Sequence, residues 1–229
     1  MKTTEEWLQA FNLLYNNIAS DKAPGLEPYE ISYFLTAAQE AVVVALYNGT
    51  LGESFESTEE VTSYLSPLVK QAELTPETNV NGKPTLSPHS VLFKTKDDIL
   101  FRTVEYCMLT DTCHKQPVQV AVIPVTQDEY FRTINNPFKR PNSRRVLRLS
   151  YTDEATAYTE LIRDGGNDTT ILSYNVRYVS KPKPILLENL QAGLQINGET
   201  KRSTCLLPET LHNTILAKAV EMAKATWNG

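Results

Sequence analysis

Apolar residues recur at helical spacing near both ends of the chain and alternate at strand spacing in between. Near the start, Leu8, Phe11, Leu14, Tyr15 and Ile18 fall on one helical face, and Thr3 with Glu6 has the spacing of a capping box. Glu5 and Glu6 suit the positive end of that helix. The segment SDKAPGLEP ends it and opens another, with Pro28 in a first-turn position. Ile31, Phe34, Leu35, Ala38, Val42, Ala45 and Leu46 form the second stripe. The AVVVALY run is apolar almost all round, so Val43, Val44 and Tyr47 also need cover, from the core or from a neighbouring subunit. Asn48-Gly49 closes the helix. Ser57 and Glu60 repeat the capping-box spacing before Val61, Tyr64 and Leu65, and Pro67 breaks that short helix. A last helix opens at Pro208, with Leu211, Ile215, Ala219, Met222, Ala223 and Thr226 on one face.

Between these helices the period changes. From Pro67 to Ser90 the chain is polar and rich in turn residues (Pro76, Asn81-Gly82, Pro84, Pro88) and reads as a long connection. Strands begin near Val91. Leu100, Val104, Tyr106 and Met108 alternate with Phe101, Thr103, Glu105 and Cys107, and VQVAVIPV follows the turn DTCHKQP as the second arm of a hairpin. QDEYFRTIN allows one or two helical turns, RVLRLSY is a strand, and AYTELI fits strand or helix. Asp164-Gly165-Gly166-Asn167-Asp168 turns the chain into TTILSYNVRYV, where Leu172, Tyr174, Val176 and Tyr178 share a face. Lys181-Pro182-Lys183-Pro184 must be extended, yet two missing donors keep it out of a sheet interior. Asn197-Gly198 is the pairing most favoured in a two-residue hairpin. These elements predict an α+β fold: N-terminal helices and a C-terminal helix around a mostly antiparallel sheet. They predict one structural domain over 1–229, with a helical part at 1–70 and a β-rich part carrying the last helix at 89–229.

Composition changes this picture little. With 229 residues, 41% hydrophobic and 21% charged, the chain can bury a sizeable core. Its 9 glycines against 13 prolines argue against a Gly-rich nucleotide-binding fold. A net charge of −5 disfavours a general nucleic-acid binder while permitting a local basic patch. The start, MKTTEEWLQAF, lacks the features of a secretory signal, and no apolar stretch approaches the roughly 20 residues of a membrane span. Three cysteines, Cys107, Cys113 and Cys205, have no framework spacing and read as free thiols.

Catalytic motifs are missing: no phosphate-binding Gly loop, dinucleotide fingerprint, nucleophile elbow, HExxH or CxxC occurs. Cys107, Asp111, Cys113 and His114, with Cys205, are the nearest approach to a metal cluster, but the two neighbouring cysteines have five residues between them, wider than zinc sites use. His89, His114 and His212 are scattered. Paired acids such as Asp97-Asp98 lie beside turns. The one concentration of charge is Lys139, Arg140, Arg144, Arg145 and Arg148, interrupted by Pro141-Asn142. It suits a phosphate or an acidic protein surface, or simply a solvated loop.

The order RYVSKPKPILL, then INGET, then TCLLPETLHNTILAKAVEMA resembles the C-terminal half of virion structural proteins of crAss-like tailed bacteriophages, and more narrowly their head-to-tail connector and tail ring proteins. The likeness runs over roughly Val146 to Gly229. It implies a non-enzymatic viral structural protein, without cofactor or metal and with no catalytic residues. The implied assembly is a homo-oligomeric ring of roughly twelve subunits, portal-associated or beside other connector or tail rings. Genomic DNA would pass through its channel without sequence-specific binding, and no membrane is involved. Such a protein would be assembled in the host bacterial cytoplasm and reside in the virion. Useful surfaces would then be subunit interfaces, for which Lys139, Arg140, Arg144, Arg145, Arg148, Lys181 and Lys183 are the candidates. The alternative is a small enzyme or metal-dependent accessory protein using the Cys107, Cys113 and His114 region.

Overall fold

In the computed structural model, residues 2–18, 25–50, 59–78, 85–110, 116–165 and 169–227 are described. The fold is α+β and divides into two compact units, one formed by 1–68 with 181–229 and one by 69–180.

The first unit is helical. Helix α1 spans Thr4–Ile18 and is opened by the expected capping box: the Thr3 N–H donates to Glu6 Oε2 at 2.7 Å, and the Glu6 N–H to Thr3 Oγ1 at 3.2 Å. Its buried stripe is Thr4, Trp7, Phe11 and Tyr15, while Leu8 and Leu14 are only half-buried. Trp7 is the residue that the pattern Leu8–Phe11–Leu14 misses, and its ring meets His212 at 5.0 Å. Helix α2, Pro28–Asn48, has proline in its first turn, Glu27 and Glu30 in a reciprocal cap, and Gly49 in the left-handed conformation at its end. Ile31, Leu35, Ala38, Val42, Val43 and Leu46 are buried, whereas Val44 faces solvent. Helix α3, Glu59–Leu65, buries Val61 and Leu65, and a single 3-10 turn at Ser66–Leu68 ends it where Pro67 requires. Ser57 lies outside the described residues.

A polar row on α2 organises the return of the chain. Ser32, Thr36 and Gln39 are buried at helical spacing. The Leu187 N–H donates to Ser32 Oγ and the Ile185 N–H to Thr36 Oγ1, both at 3.1 Å, while Gln39 Nε2 donates to the Lys183 carbonyl at 2.7 Å. In an extended chain successive N–H groups point to opposite sides. Leu186 accordingly turns the other way and exchanges two bonds with Ser203, at 3.0 and 3.1 Å. The 183–187 segment thus finds partners on both sides without belonging to a named strand. Pro182 and Pro184 are buried, and Lys181 and Lys183 are exposed. Asn197 and Gly198 both have positive φ, as a type I′ hairpin turn demands, and Ile196 and Glu199 close it. Helix α5, Glu209–Trp227, follows Pro208 and buries Leu211, His212, Ile215, Leu216, Ala219, Val220 and Ala223. Met222 is half-buried and Thr226 exposed, so the apolar face is rotated slightly from the expected one.

The second unit is a seven-stranded sheet in the order β1-β7-β3-β4-β5-β6-β2. Its strands are β1 Val69–Leu74, β2 Ser90–Lys94, β3 Ile99–Thr110, β4 Val118–Pro124, β5 Arg145–Asp153, β6 Thr156–Ile162 and β7 Thr170–Ser180. Strand β1 falls in the stretch expected to be connection only. It is an edge strand paired with β7, and only Ala72 and Leu74 bury their side chains, so its periodic signal is weak. All neighbours pair antiparallel except β4 and β5, which are parallel and joined through the short helix α4, Tyr130–Ile134. AYTELI resolves as strand β6.

One sheet face carries the main core: Phe93, Cys107, Leu109, Val120, Val122, Val146, Leu161, Tyr174, Val176 and Tyr178 among others. This reverses the expected face of β3, where Val104 is exposed and Cys107 and Leu109 are buried. From Val104 to Met108 the β3–β7 ladder is in continuous register, with Cys107 opposite Tyr174 on the buried face, and shifts occur on either side of that stretch. The shift at Met108/Leu109 skips Leu172, leaving it 43% exposed while Ile171 takes its place in the core. Tyr130, Leu147, Leu149 and Ile162, with Val125 and Ile134, form a second cluster where α4 packs on the sheet.

Two outcomes follow for stability. Ser32→Ala strips the acceptor from the buried Leu187 N–H, and urea unfolding should show a loss of about 1–3 kcal/mol. His212 is buried with Nε2 against the Leu207 carbonyl at 3.0 Å. Burial, reinforced by Lys2 and the N-terminus, holds its pKa below the ordinary value despite the Leu207 bond. Its contribution is therefore full above about pH 6.5, the unfolded value, and declines as pH falls below it. Urea midpoints measured from pH 7.5 to 5.5 should fall less in His212→Gln than in the parent.

Candidate assembly surfaces

The basic run spans the end of the α4 loop and the first half of β5, and the structure divides its members. Arg148 points into the sheet: its Nε lies 2.8 Å from Glu105 Oε2 with both side chains largely buried, and its Nη1 donates to Ser150 Oγ at 2.8 Å. Glu105 also accepts the Tyr174 hydroxyl at 2.6 Å. Burial first, and then the Glu105 charge, push the Tyr174 phenol far up, so it remains a donor. Nearby, Arg102 Nη2 donates to Thr159 Oγ1 at 3.1 Å, and Thr159 shares a hydrogen bond with Thr95 at 2.8 Å. These groups form a polar network within the sheet unit, in which Arg148 Nε meets Glu105 as an ion pair without a well-directed hydrogen bond.

Arg145 also turns inward, onto its own loop. Its Nε donates to the Arg140 carbonyl at 2.9 Å and its Nη2 to the Phe138 carbonyl. Asn142 Oδ1 accepts the Arg144 N–H and Asn136 Oδ1 the Phe138 N–H, each at 2.9 Å. Asn142 and Arg145 close a small backbone turn, and Pro141 is buried beneath it. The result is a fixed loop from which Lys139, Arg140 and Arg144 project into solvent. With them stands Phe138, 85% exposed, and seven residues earlier, within α4, is Phe131, 67% exposed. Sequence reading passed over both aromatics. The available signal was two phenylalanines beside Arg132, Lys139 and Arg140, aromatic and arginine residues being enriched at interfaces.

Lys181 and Lys183 stand outward from the segment held by α2. Among the paired acids, Asp98 is engaged: Lys70 Nζ lies at 2.9 Å and the Tyr178 hydroxyl at 3.1 and 3.2 Å from its two oxygens. Burial raises the Asp98 pKa, but these two hydrogen bonds together with the charges of Lys70 and Lys96 outweigh it and the net shift is downward.

Cys107 is a core residue of the sheet, and burial pushes its thiol up to about 12. Cys205 is buried in the helical unit, its thiol raised to about 11 for the same reason. Both remain protonated and unreactive at neutral pH. Asp111, Cys113 and His114 lie outside the described residues. Among the described residues no three metal-ligating side chains converge, and no helix is long and apolar enough to cross a membrane.

Geometry of this kind defines a class in outline: an α+β protein whose uncommitted charged and aromatic groups stand on its surface. Comparison with known proteins makes the class specific. The family model for phage tail ring protein 3/4 matches residues 1–228. Ring protein 3 of Bacteroides phage crAss001 is 39% identical over 227 residues, covering 96% of this chain and 94% of that protein. Ring protein 4/5 of the same phage is 32% identical over 232 residues, covering 98% and 93%. The chain belongs to the phage tail ring protein 3/4 family.

The division within the basic run has a measurable consequence. Arg148→Ala leaves a largely buried Glu105 carboxylate without its cation and should cost about 3 kcal/mol in urea unfolding. Arg144→Ala, on the projecting side of the loop, should stay within about 0.5 kcal/mol.

Proposed function

We propose that this chain is a non-enzymatic structural subunit of the phage virion that assembles with copies of itself into a closed ring of roughly twelve. The whole chain acts as one structural part. The ring sits in the head-to-tail connector or tail, against the portal or adjacent rings, and the genome passes through its channel without sequence-specific binding. The observation that carries this reading is the family match over nearly the full chain. The surface supports it, because the residues with unspent binding capacity are exposed cations and aromatics rather than groups converging on a cavity.

The exposed cations meet protein in this reading. A channel that lets DNA slide should not hold phosphates, since each neutralised phosphate adds salt-dependent affinity. Arg140 and Arg144 suit carboxylates on a neighbouring subunit or ring, which a guanidinium engages with paired bonds. Lys181 and Lys183, on a stiff extended segment, lie at a second boundary.

Negative-stain imaging and native mass measurement of the purified protein, alone and mixed with its portal, test the proposal. Closed rings are expected, and a chain monomeric under every condition would contradict it. The paired change Arg140→Gln and Arg144→Gln should weaken assembly about tenfold while leaving weak DNA binding unchanged; Arg145 is kept because it holds the loop. Intact assembly with loss of a salt-dependent DNA affinity would instead place this loop on the channel wall. Lys181→Glu with Lys183→Glu should weaken assembly without lowering the melting temperature.

A further inference from the structure

A closed ring needs two different faces on each subunit, because a single self-complementary patch stops at a dimer. The two units of this chain differ in charge. Residues 1–68 and 181–229 carry 14 acids against 8 bases, a net of −6, whereas residues 69–180 carry 13 acids against 14 bases, a net of +1. The acidic surplus thus lies on the helical unit, and the exposed cations Lys139, Arg140 and Arg144 lie on the sheet unit.

The sheet unit also carries the most exposed large apolar side chain among the described residues, Phe138. Its backbone is fixed on both sides: Asn136 Oδ1 accepts its N–H, and the Arg145 guanidinium holds its carbonyl. An aromatic group on a pre-ordered loop loses little freedom when it binds. The helical unit carries a complementary depression. Ala10 and Leu13 of α1 form its apolar part, with Lys2, Glu6, Gln9 and Glu209 around them, in a groove of about 680 Å³. Leu13 is 63% exposed there, although it is one of the large apolar side chains of α1. Among the described residues the one cation in the lining is engaged, since Lys2 Nζ donates to Asn213 Oδ1 at 3.0 Å and lies over the Trp7 ring.

We propose that Phe138 of one copy seats on Leu13 and Ala10 in this groove of a second copy, with Lys139 and Arg140 facing the Glu6 side of its rim. A buried aromatic centre with a charged rim is the arrangement in which a few residues dominate an interface. The charge difference between the units selects the copy-to-copy orientation, because helical unit against helical unit would bring two acidic surfaces together. The inference rests on the ring reading and names the contact that propagates the ring.

Two variants test it, each at an exposed position: Phe138→Asp removes the knob, and Leu13→Arg blocks the groove. Both should melt within a few degrees of the parent, confirming that they fold. Each alone should self-associate at least about thirtyfold more weakly in analytical ultracentrifugation. Mixed in equal amounts, they should form a one-to-one heterodimer and nothing larger, because that pair retains a single intact knob and groove. Rings formed equally well by the parent and both variants would overturn this contact while leaving the ring reading intact. Failure of both variants to assemble, with no heterodimer on mixing, would also overturn it. A parent chain that stays monomeric at every concentration would remove the ring reading and the contact together.

Discussion

The arrangement of the helical unit depends on three polar side chains on one face of α2. Ser32, Thr36 and Gln39 sit where a core helix would ordinarily place apolar residues, and each is buried. A buried hydroxyl or amide without a partner costs about 1–3 kcal/mol. These three meet an equivalent need on the returning chain, where the N–H groups of Ile185 and Leu187 and the carbonyl of Lys183 have no strand partner on that side. The match is also one of spacing. A step of four along a helix advances about 6 Å, close to the two-residue repeat of an extended chain, and the longer Gln39 side chain reaches across the shorter step of three. A helix can therefore serve as the neighbour of a strand-like segment, provided its side chains supply what a ladder would have supplied.

That constraint fixes which way the segment faces. With alternate backbone groups committed to α2 and to Ser203, Pro182 and Pro184 turn inward and Lys181 and Lys183 turn out. The lysines are presented by a segment with little freedom left. The Phe138 loop achieves the same result by other means, since an arginine and two asparagines hold its backbone so that its aromatic and cationic side chains project. In both places, charge that looks like solvated surface is carried on backbone ordered by buried or half-buried polar groups. In the proposed ring, surfaces ordered before contact would reduce the entropy lost on assembly.

Much of the fold was legible because its signals are local. Thr3 with Glu6, Pro28, Asn48-Gly49, Pro67, Asn197-Gly198 and Pro208 each act within a few residues, and each marks an element boundary in the structure. What escaped was set by distant partners. Strand β1 buries two side chains and owes its existence to β7. The core face of β3 is set by its pairing with β7, and the exposure of Leu172 by a register shift in that ladder, whose partners are far apart in sequence. The parallel β4–β5 pair depends on α4 covering Leu147 and Leu149. In the basic run, composition could not separate Arg148, whose partner Glu105 lies two strands away across the sheet, from Arg144, which has only solvent before its side chain. The polar row on α2 was visible in the sequence as Ser32, Thr36 and Gln39 interrupting an apolar stripe, but nothing local named its partner.

Amide hydrogen exchange resolved at single residues tests that row most directly. If α2 side chains hold the returning segment as a ladder would, the amides of Ile185 and Leu187 should exchange as slowly as those of central strand β7, and Ser32→Ala should speed Leu187 selectively. Exchange of Ile185 and Leu187 at the rate of an exposed loop would contradict the account, because the segment would then be held by packing alone and free to turn its lysines.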